Sequence, residues 1–299
     1  MSAIASGDYS HAEGWGTNSR GKYSHAEGRN TVASGYYSHV EGNGTTASAG
    51  SSHAEGYGTE ASGDSSHAEG WETTASGPGS HAEGDSAEAS GYYSHAEGYR
   101  TTASGVYSHV EGRYSKASGD YSHAEGWDTV AYGEKSHAEG YESFASGEGS
   151  HAEGWQTTAS GDCSHAEGED TKASGYCSHA SGEGTQATAN HQFVIGKYNA
   201  IDDTAVFIIG NGASDSSRDN CLWVNSSGHL YTRSTQGPLH RATNIDTSVN
   251  PSAVVYNTSF AVYDKNGSLM QFNSPEYRAD GKVMARIGSS IMGSDGSRK

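Results

Sequence analysis

The stretch Ser10-His11-Ala12-Glu13-Gly14 decides the fold, because the chain repeats it in one unbroken register. Its histidine returns at His25, His39, His53, His67, His81, His95, His109, His123, His137, His151, His165 and His179, always 14 residues on. A fixed period comes before any local reading: each unit is one supersecondary element that cannot bury its faces alone and must stack on its neighbours. The full unit reads S-H-A-E-G-x-x-T-x-A-S-G-x-x. It holds two strand-like pieces, each closed by a glycine, read as a turn residue, and followed by two variable residues. Side chains alternate faces along a strand, so His and Glu share one face while Ser, Ala and Gly share the other. Stacking in register pairs each strand with its copies one coil above and below. The expected fold is all-β, a parallel β-roll or solenoid of 14-residue coils.

Composition sets the limits. Of 299 residues, 42 are glycine and only 32% are hydrophobic, too few for an ordinary core. Such poverty can signal disorder, but the strict register, with 19 Tyr and 5 Trp, favours an ordered repeat. Gly, Ser and Thr at this density argue against long helices. A net charge of −18 disfavours nucleic-acid partners. No apolar run is long enough to span a membrane, and no secretory signal peptide is evident. The chain opens in mid-unit, Ala3-Ile4-Ala5-Ser6-Gly7 being a second half. That is expected of a segment of a longer protein, or of an unusual start at Met1.

The register outlasts the histidines. Gly182, Gly196 and Gly210 continue the series begun by Gly14, so 192–196 and 206–210 occupy the Ser-His-Ala-Glu-Gly slots. Phe193 and Phe207 take the His place; Ile195 and Ile209 take the Glu place. A place that accepts Phe and Ile is expected to be buried. The columns that include His11, Glu13, His25, Glu27, His95, Glu97, His165 and Glu167 are therefore predicted to be structural core columns, facing the roll interior or a subunit interface rather than water. An unpaired buried polar group costs about 1–3 kcal/mol, so each imidazole is expected to bond a carboxylate. Stability should then be pH-sensitive between about pH 5 and 7, where histidine titrates. Histidine with carboxylate is also metal chemistry, but a continuous ladder singles out no one point. No catalytic, metal-binding or cofactor residue is assigned. Ser10 and His11 point to opposite faces, so their adjacency makes no dyad.

The slot after the first Gly carries Trp15, Tyr57, Trp71, Tyr99, Trp127, Tyr141 and Trp155. These form a candidate glycan-contact stripe, the plainer reading being packing between chains or over turns. Cys163 and Cys177 stand one period apart, which suits a disulfide with Cα atoms about 4.4–6.8 Å apart. Free thiols are expected if assembly is cytoplasmic.

The pattern divides the chain into a roll shaft at 1–210, a β-hairpin neck at 211–232 and a small β-rich C-terminal tip domain at 233–299. The hairpin is read from Leu222-Trp223-Val224, the turn Asn225-Ser226-Ser227-Gly228, and His229-Leu230-Tyr231. In the tip, strands are expected at 253–256, 260–263, 269–272 and 282–287, with a turn at 264–267.

The S-x-A-x-G and A-S-G half-motifs at this period resemble the YadA-like head repeat of trimeric adhesins, over roughly residues 3–210. That family has S-V-A-I-G where this chain has S-H-A-E-G. The resemblance implies a left-handed parallel β-roll in which three identical chains wrap one axis, hence a homotrimer. The adhesins' coiled-coil stalk and outer-membrane anchor have no counterpart here. The F-V-I-G and F-I-I-G-N-G run, followed by Arg218, Asn220 and the hairpin, resembles the region after such repeats in tail-fibre and appendage proteins of phages of Gram-positive bacteria. It implies a structural and adhesive fibre, in a virion assembled in the host cytoplasm. Its partners would be a host cell-surface glycan or other receptor and further tail or baseplate proteins, with no nucleic acid and no membrane insertion. The alternatives are a bacterial trimeric surface adhesin, and a glycan depolymerase or self-cleaving fibre maturation protein.

Overall fold

A computed structural model describes residues 2–232, together with short strands at His240–Arg241, Ala261–Tyr263, Leu269–Gln271, Glu276–Tyr277, Val283–Ile287 and Ser290–Met292. Each coil of the roll lays down one five-residue strand, such as His95–Tyr99, and one two-residue strand, such as Thr102–Ala103. The two kinds build separate parallel ladders. The short one has 14 strands in strict coil order. In the long one every residue pairs with its own copy, His67 with His81 and Glu69 with Glu83. The register continues through His179 opposite Phe193 and Phe193 opposite Phe207, as the glycine series predicts.

The interior of the coil is made of very small side chains. From Ala26 to Ala180 the small residue that follows each histidine, alanine in most coils as at Ala96 and Ala152 and valine at Val40 and Val110, is fully buried, as is the alanine of each short strand from Ala33 to Ala187. Ser and Thr complete the lining, and many of them bond a nearby backbone carbonyl. Ser94 Oγ donates to the Gly91 carbonyl at 2.8 Å and Ser122 Oγ to the Gly119 carbonyl at 2.6 Å. Thr73 Oγ1 donates to the Glu69 carbonyl at 3.1 Å. With so little apolar volume per coil, cohesion comes from the inter-coil backbone hydrogen bonds, repeated at every step, and from dense packing of methyl groups.

The His and Glu columns do not face this interior. They project from the outer face of the long ladder, and inner pairs such as His53 and Glu55 are each 35% exposed. The reason is the alternation itself: Ala lies between His and Glu, and the interior has room only for Ala. The expectation of core columns therefore fails for the inside of the coil, at His11, Glu13, His25, Glu27, His95, Glu97, His165, Glu167 and also at Phe193, Ile195, Phe207 and Ile209. What remains is an outward face.

The glycines also differ from their expected role. The left-handed turn positions are held mostly by non-glycine residues, among them Tyr93, Tyr107 and Cys163 in one column and Arg100 and Asp128 in the other. The glycine that closes the long strand is required instead by stacking. A Cβ on Gly98 would sit well inside van der Waals contact of the Gly112 carbonyl oxygen, and Gly98 also has φ +110°.

After the last parallel strand, Ala205–Asn211, the chain reverses. Asn220–Asn225 pairs with it antiparallel, and Leu230–Thr232 pairs with Asn220–Asn225, bringing Trp223 opposite Tyr231. This is the hairpin expected from the sequence. Ala261–Tyr263 pairs antiparallel with Leu269–Gln271, and Val283–Ile287 with both Glu276–Tyr277 and Ser290–Met292. The strand expected at 253–256 and the turn at 264–267 lie outside the described residues.

Candidate functional site

The outward face of the long ladder carries the His, Glu and aromatic columns, while Cys163 and Cys177 lie in a turn column outside it. Its strands hold His, Glu and the variable third residue pointing the same way, because they alternate with buried Ala and with Gly. Stacking turns each into a column running the length of the roll.

His11 meets His25 edge-on at 82°, and from His25 onward the column is a continuous pile of imidazoles. From His39 to His53 the ring centroids are 4.7 Å apart and 6° from parallel, and from His109 to His123 they are 4.8 Å apart and 1° from parallel. The pile ends by tilting: His179 meets Phe193 at 4.6 Å and 42°. Phe193 then stacks on Phe207 at 5.9 Å. Glutamate runs alongside. His67 Nε2 is 3.5 Å from the carboxylate of Glu69 in its own coil. Farther along, His165 turns to Glu153 of the preceding coil at 3.6 Å, and His179 to Glu167 at 3.5 Å. These are ion-pair distances, long for a good hydrogen bond. The Nε2 atoms from His25 to His179 are buried and make no hydrogen bond within the described residues.

Burial, and after it the neighbouring His67, hold the imidazoles of His53 and His81 below their ordinary range. The same order of causes lowers His95, His137 and His165, with adjacent histidines second. The glutamates pull the other way and are outweighed. These five rings are biased toward the neutral form, since protonating one of them places charge in a partly buried site against its neighbours.

Groups such as His67, Glu69 and His81 bring their ligand atoms within 4.8 Å of one another. The imidazoles of His67 and His81, however, stack only 9° from parallel, so their in-plane lone pairs run side by side. A zinc ion needs nitrogens converging at about 2.0–2.1 Å. Ring rotation would have to come first, and the ladder as built favours no coil over another. Beside the histidines, Glu111, Glu125, Glu139 and Glu153 wall a long shallow groove whose floor is Gly112, Gly126, Gly140 and Gly154.

The aromatic stripe lies beyond the glutamates. Tyr57 stacks on Trp71 at 4.1 Å, and Tyr141 on Trp155 at 4.1 Å. The Arg29 guanidinium lies over Trp15 at 5.2 Å. The Arg113 guanidinium lies over Trp127 at 4.4 Å and Tyr99 at 5.1 Å. One face of each ring is therefore occupied by the chain itself. Trp71 and Trp155 remain half exposed. A sugar stacks on a ring face, so this stripe offers far fewer platforms than its residue list suggests.

Sequence reasoning missed the residues that close the C-terminal end of the roll. Asn199 is fully buried, accepting from the Gln186 N–H at 2.7 Å and donating back to the Gln186 carbonyl at 3.0 Å. Gln192 replaces the usual Ser and donates to the carbonyls of Asp202 at 2.9 Å and Ala205 at 2.8 Å. Its place in the serine column was the one available signal.

The geometry defines a solenoid with one repetitive outward face and no converging reactive cluster among the described residues. Residues 26–48 match the YadA head domain repeat, in two copies. With the parallel stack of 14-residue coils, this supports a YadA-like β-roll. No curated protein matches the chain. Among the described residues no helix is long and apolar enough to cross a membrane.

Proposed function

We propose that the chain is the shaft of a trimeric, adhesin-like fibre, in which three copies pack their His–Glu faces about a common axis. The observation that carries this is the end of the imidazole pile. The face passes without a break into Phe193, which is 40% exposed, and on into Phe207. An apolar end in register with a polar column is what a shared interface needs, and a second and third copy present the same end at the same height. The buried Nε2 atoms without partners fit the same reading, because neighbouring chains can supply them. The YadA head repeat match supports it independently.

The finer reading is a phage tail fibre or appendage, carried on the virion and attached to other tail or baseplate proteins. Residues 233–299 would be the receptor-binding tip, directed at a host cell-surface glycan or other receptor and lacking enzymatic activity. Rigid scaffolds commonly carry binding at variable ends. Sizing the purified protein in native buffer tests the assembly, and a trimer that boiling converts to monomer is expected. A monomer in native buffer would overturn both the trimer and the fibre. Binding of the full chain to host cells, abolished by competing wall polysaccharide without any product released from it, tests the adhesive role.

A further inference from the structure

The column of left-handed turn residues that precedes each buried serine is aromatic along much of the roll. Tyr9, Tyr23 and Tyr37 stack at 5.2 and 5.0 Å, and Tyr93, Tyr107 and Tyr121 at 5.2 and 5.4 Å. Beyond Tyr121 the ladder stops: Lys135 and Gly149 follow, then Cys163, Cys177 and His191. Both cysteines of the roll fall in this one column and in consecutive coils. The third, Cys221, lies in the strand Asn220–Asn225.

Their backbones are held in the same geometry. Cys163 has φ 54° and Cys177 φ 49°. The Cys163 N–H donates to the Glu148 carbonyl at 2.8 Å, and the Cys177 N–H donates to the Asp162 carbonyl at 2.8 Å. Side chains in this column project the same way and meet their neighbours, as the tyrosine stacks demonstrate. Both thiols are free and exposed. After partial desolvation, the neighbouring Cys177 thiol is the next cause holding the Cys163 thiol above its ordinary value. Adjacent coils stand about 4.8 Å apart, inside the Cα range of disulfides.

We propose that Cys163 and Cys177 are a redox-closed staple between two consecutive coils. A small-molecule disulfide is the oxidant. One cysteine thiolate attacks it, releasing one thiolate of the oxidant and leaving a mixed disulfide. The second cysteine thiolate then displaces the other half as a thiolate. The chain loses two protons and two electrons, and the oxidant is reduced to two thiols. The bond closes a loop of one coil where the tyrosine ladder has ended and shortly before the histidine pile gives way to Phe193. Closing a loop removes freedom from the unfolded chain, so the oxidised roll unfolds at higher temperature.

The test exposes the native full-length protein to oxidised glutathione and then analyses it by intact mass and by peptide mapping without reduction. The expected product has lost two hydrogens, carries a cross-link between the peptides of Cys163 and Cys177, and melts several degrees higher. Dithiothreitol should reverse both changes, and Cys163→Ser and Cys177→Ser should each abolish them. Stable glutathione adducts on both cysteines, covalent oligomers on a non-reducing gel, or a cross-linked product with an unchanged melting temperature would each overturn the staple.

Discussion

Arg218 reaches back 34 residues to donate to the Gly184 carbonyl at 2.8 Å, and the same Nη1 donates to the Asn199 carbonyl at 3.3 Å. A solenoid frays from its ends, because a terminal coil has a neighbour on one side only. Arg218, held in place by Asp215, fastens that end. Hydrogen bonds from a charged donor are worth about 1.5–3 kcal/mol each. Arg218→Ala should therefore loosen the last parallel coils by an amount of that order. Amide hydrogen exchange should speed up around 184–200 and stay unchanged around 60–120. Uniform protection in the variant would show that the arginine does not fasten the end.

The glycine that ends each long strand is a packing requirement, whereas the glycines in the turn column are optional. Gly98 has φ +110° and faces the Gly112 carbonyl, so Gly98→Ala combines backbone strain with a clash against backbone that cannot move. Gly58 has φ +66° and meets only Glu72, in a column that elsewhere holds Arg100. Gly98→Ala should cost several-fold more than Gly58→Ala, whose penalty should stay near about 1–2 kcal/mol, the usual cost of a left-handed residue. Chemical denaturation of the two variants measures the difference. Equal penalties would remove the stacking account.

The period, the two strands per coil, the two ladders and the hairpin at Trp223 were all legible in the sequence, because a strict register converts directly into pairing. Which face turns inward was not. Phe193 and Phe207 in the His column suggested burial, but Phe193 is exposed on a single chain and the inside is filled by alanine. Hydrophobicity marks a surface that something covers, without distinguishing the coil's own core from a neighbouring chain. The aromatic stripe was legible as a column, but not the stacking of Tyr57 on Trp71 that occupies its faces. The closing contacts of Arg218, Asn199 and Gln192 lie where the register breaks, and there periodicity carries no information.

Two alanine columns line the coil, and the sequence treats them differently. The column of the long strand accepts a larger side chain: Val40, Val110 and Val194 are all fully buried there. The column of the short strand runs from Ala33 to Ala187 with alanine alone. Ala96→Val should therefore change stability by less than about 1 kcal/mol. Ala103→Val should cost roughly 1–3 kcal/mol, the range for overpacking a filled core. Melting temperatures of the two variants at neutral pH compare them directly. An Ala103→Val variant as stable as the parent would mean that the short-strand side has spare volume.

The imidazole pile makes acid the natural destabiliser of the roll. Burial lowers the folded pKa of His53, His81, His95, His137 and His165 from 6.5. Between the lowered folded value and the unfolded one, the unfolded chain binds more protons, so stability rises with pH in that window. The melting temperature should be flat above about pH 7 and fall as pH drops through about 6.5. The groups facing each ring are its own glutamate, the glutamate of the adjacent coil and the two neighbouring imidazoles. Of these the carboxylates alone oppose the trend. Phenylalanine occupies the column naturally at Phe193, stacked against His179. His95→Phe should therefore be tolerated at pH 8 and should melt higher than the parent at pH 5.5, because one protonation is removed and its two neighbours lose a charged ring beside them. Melting curves of parent and variant at the two pH values decide it. A parent whose melting temperature rises on acidification would mean that the glutamates, and not burial, control the pile.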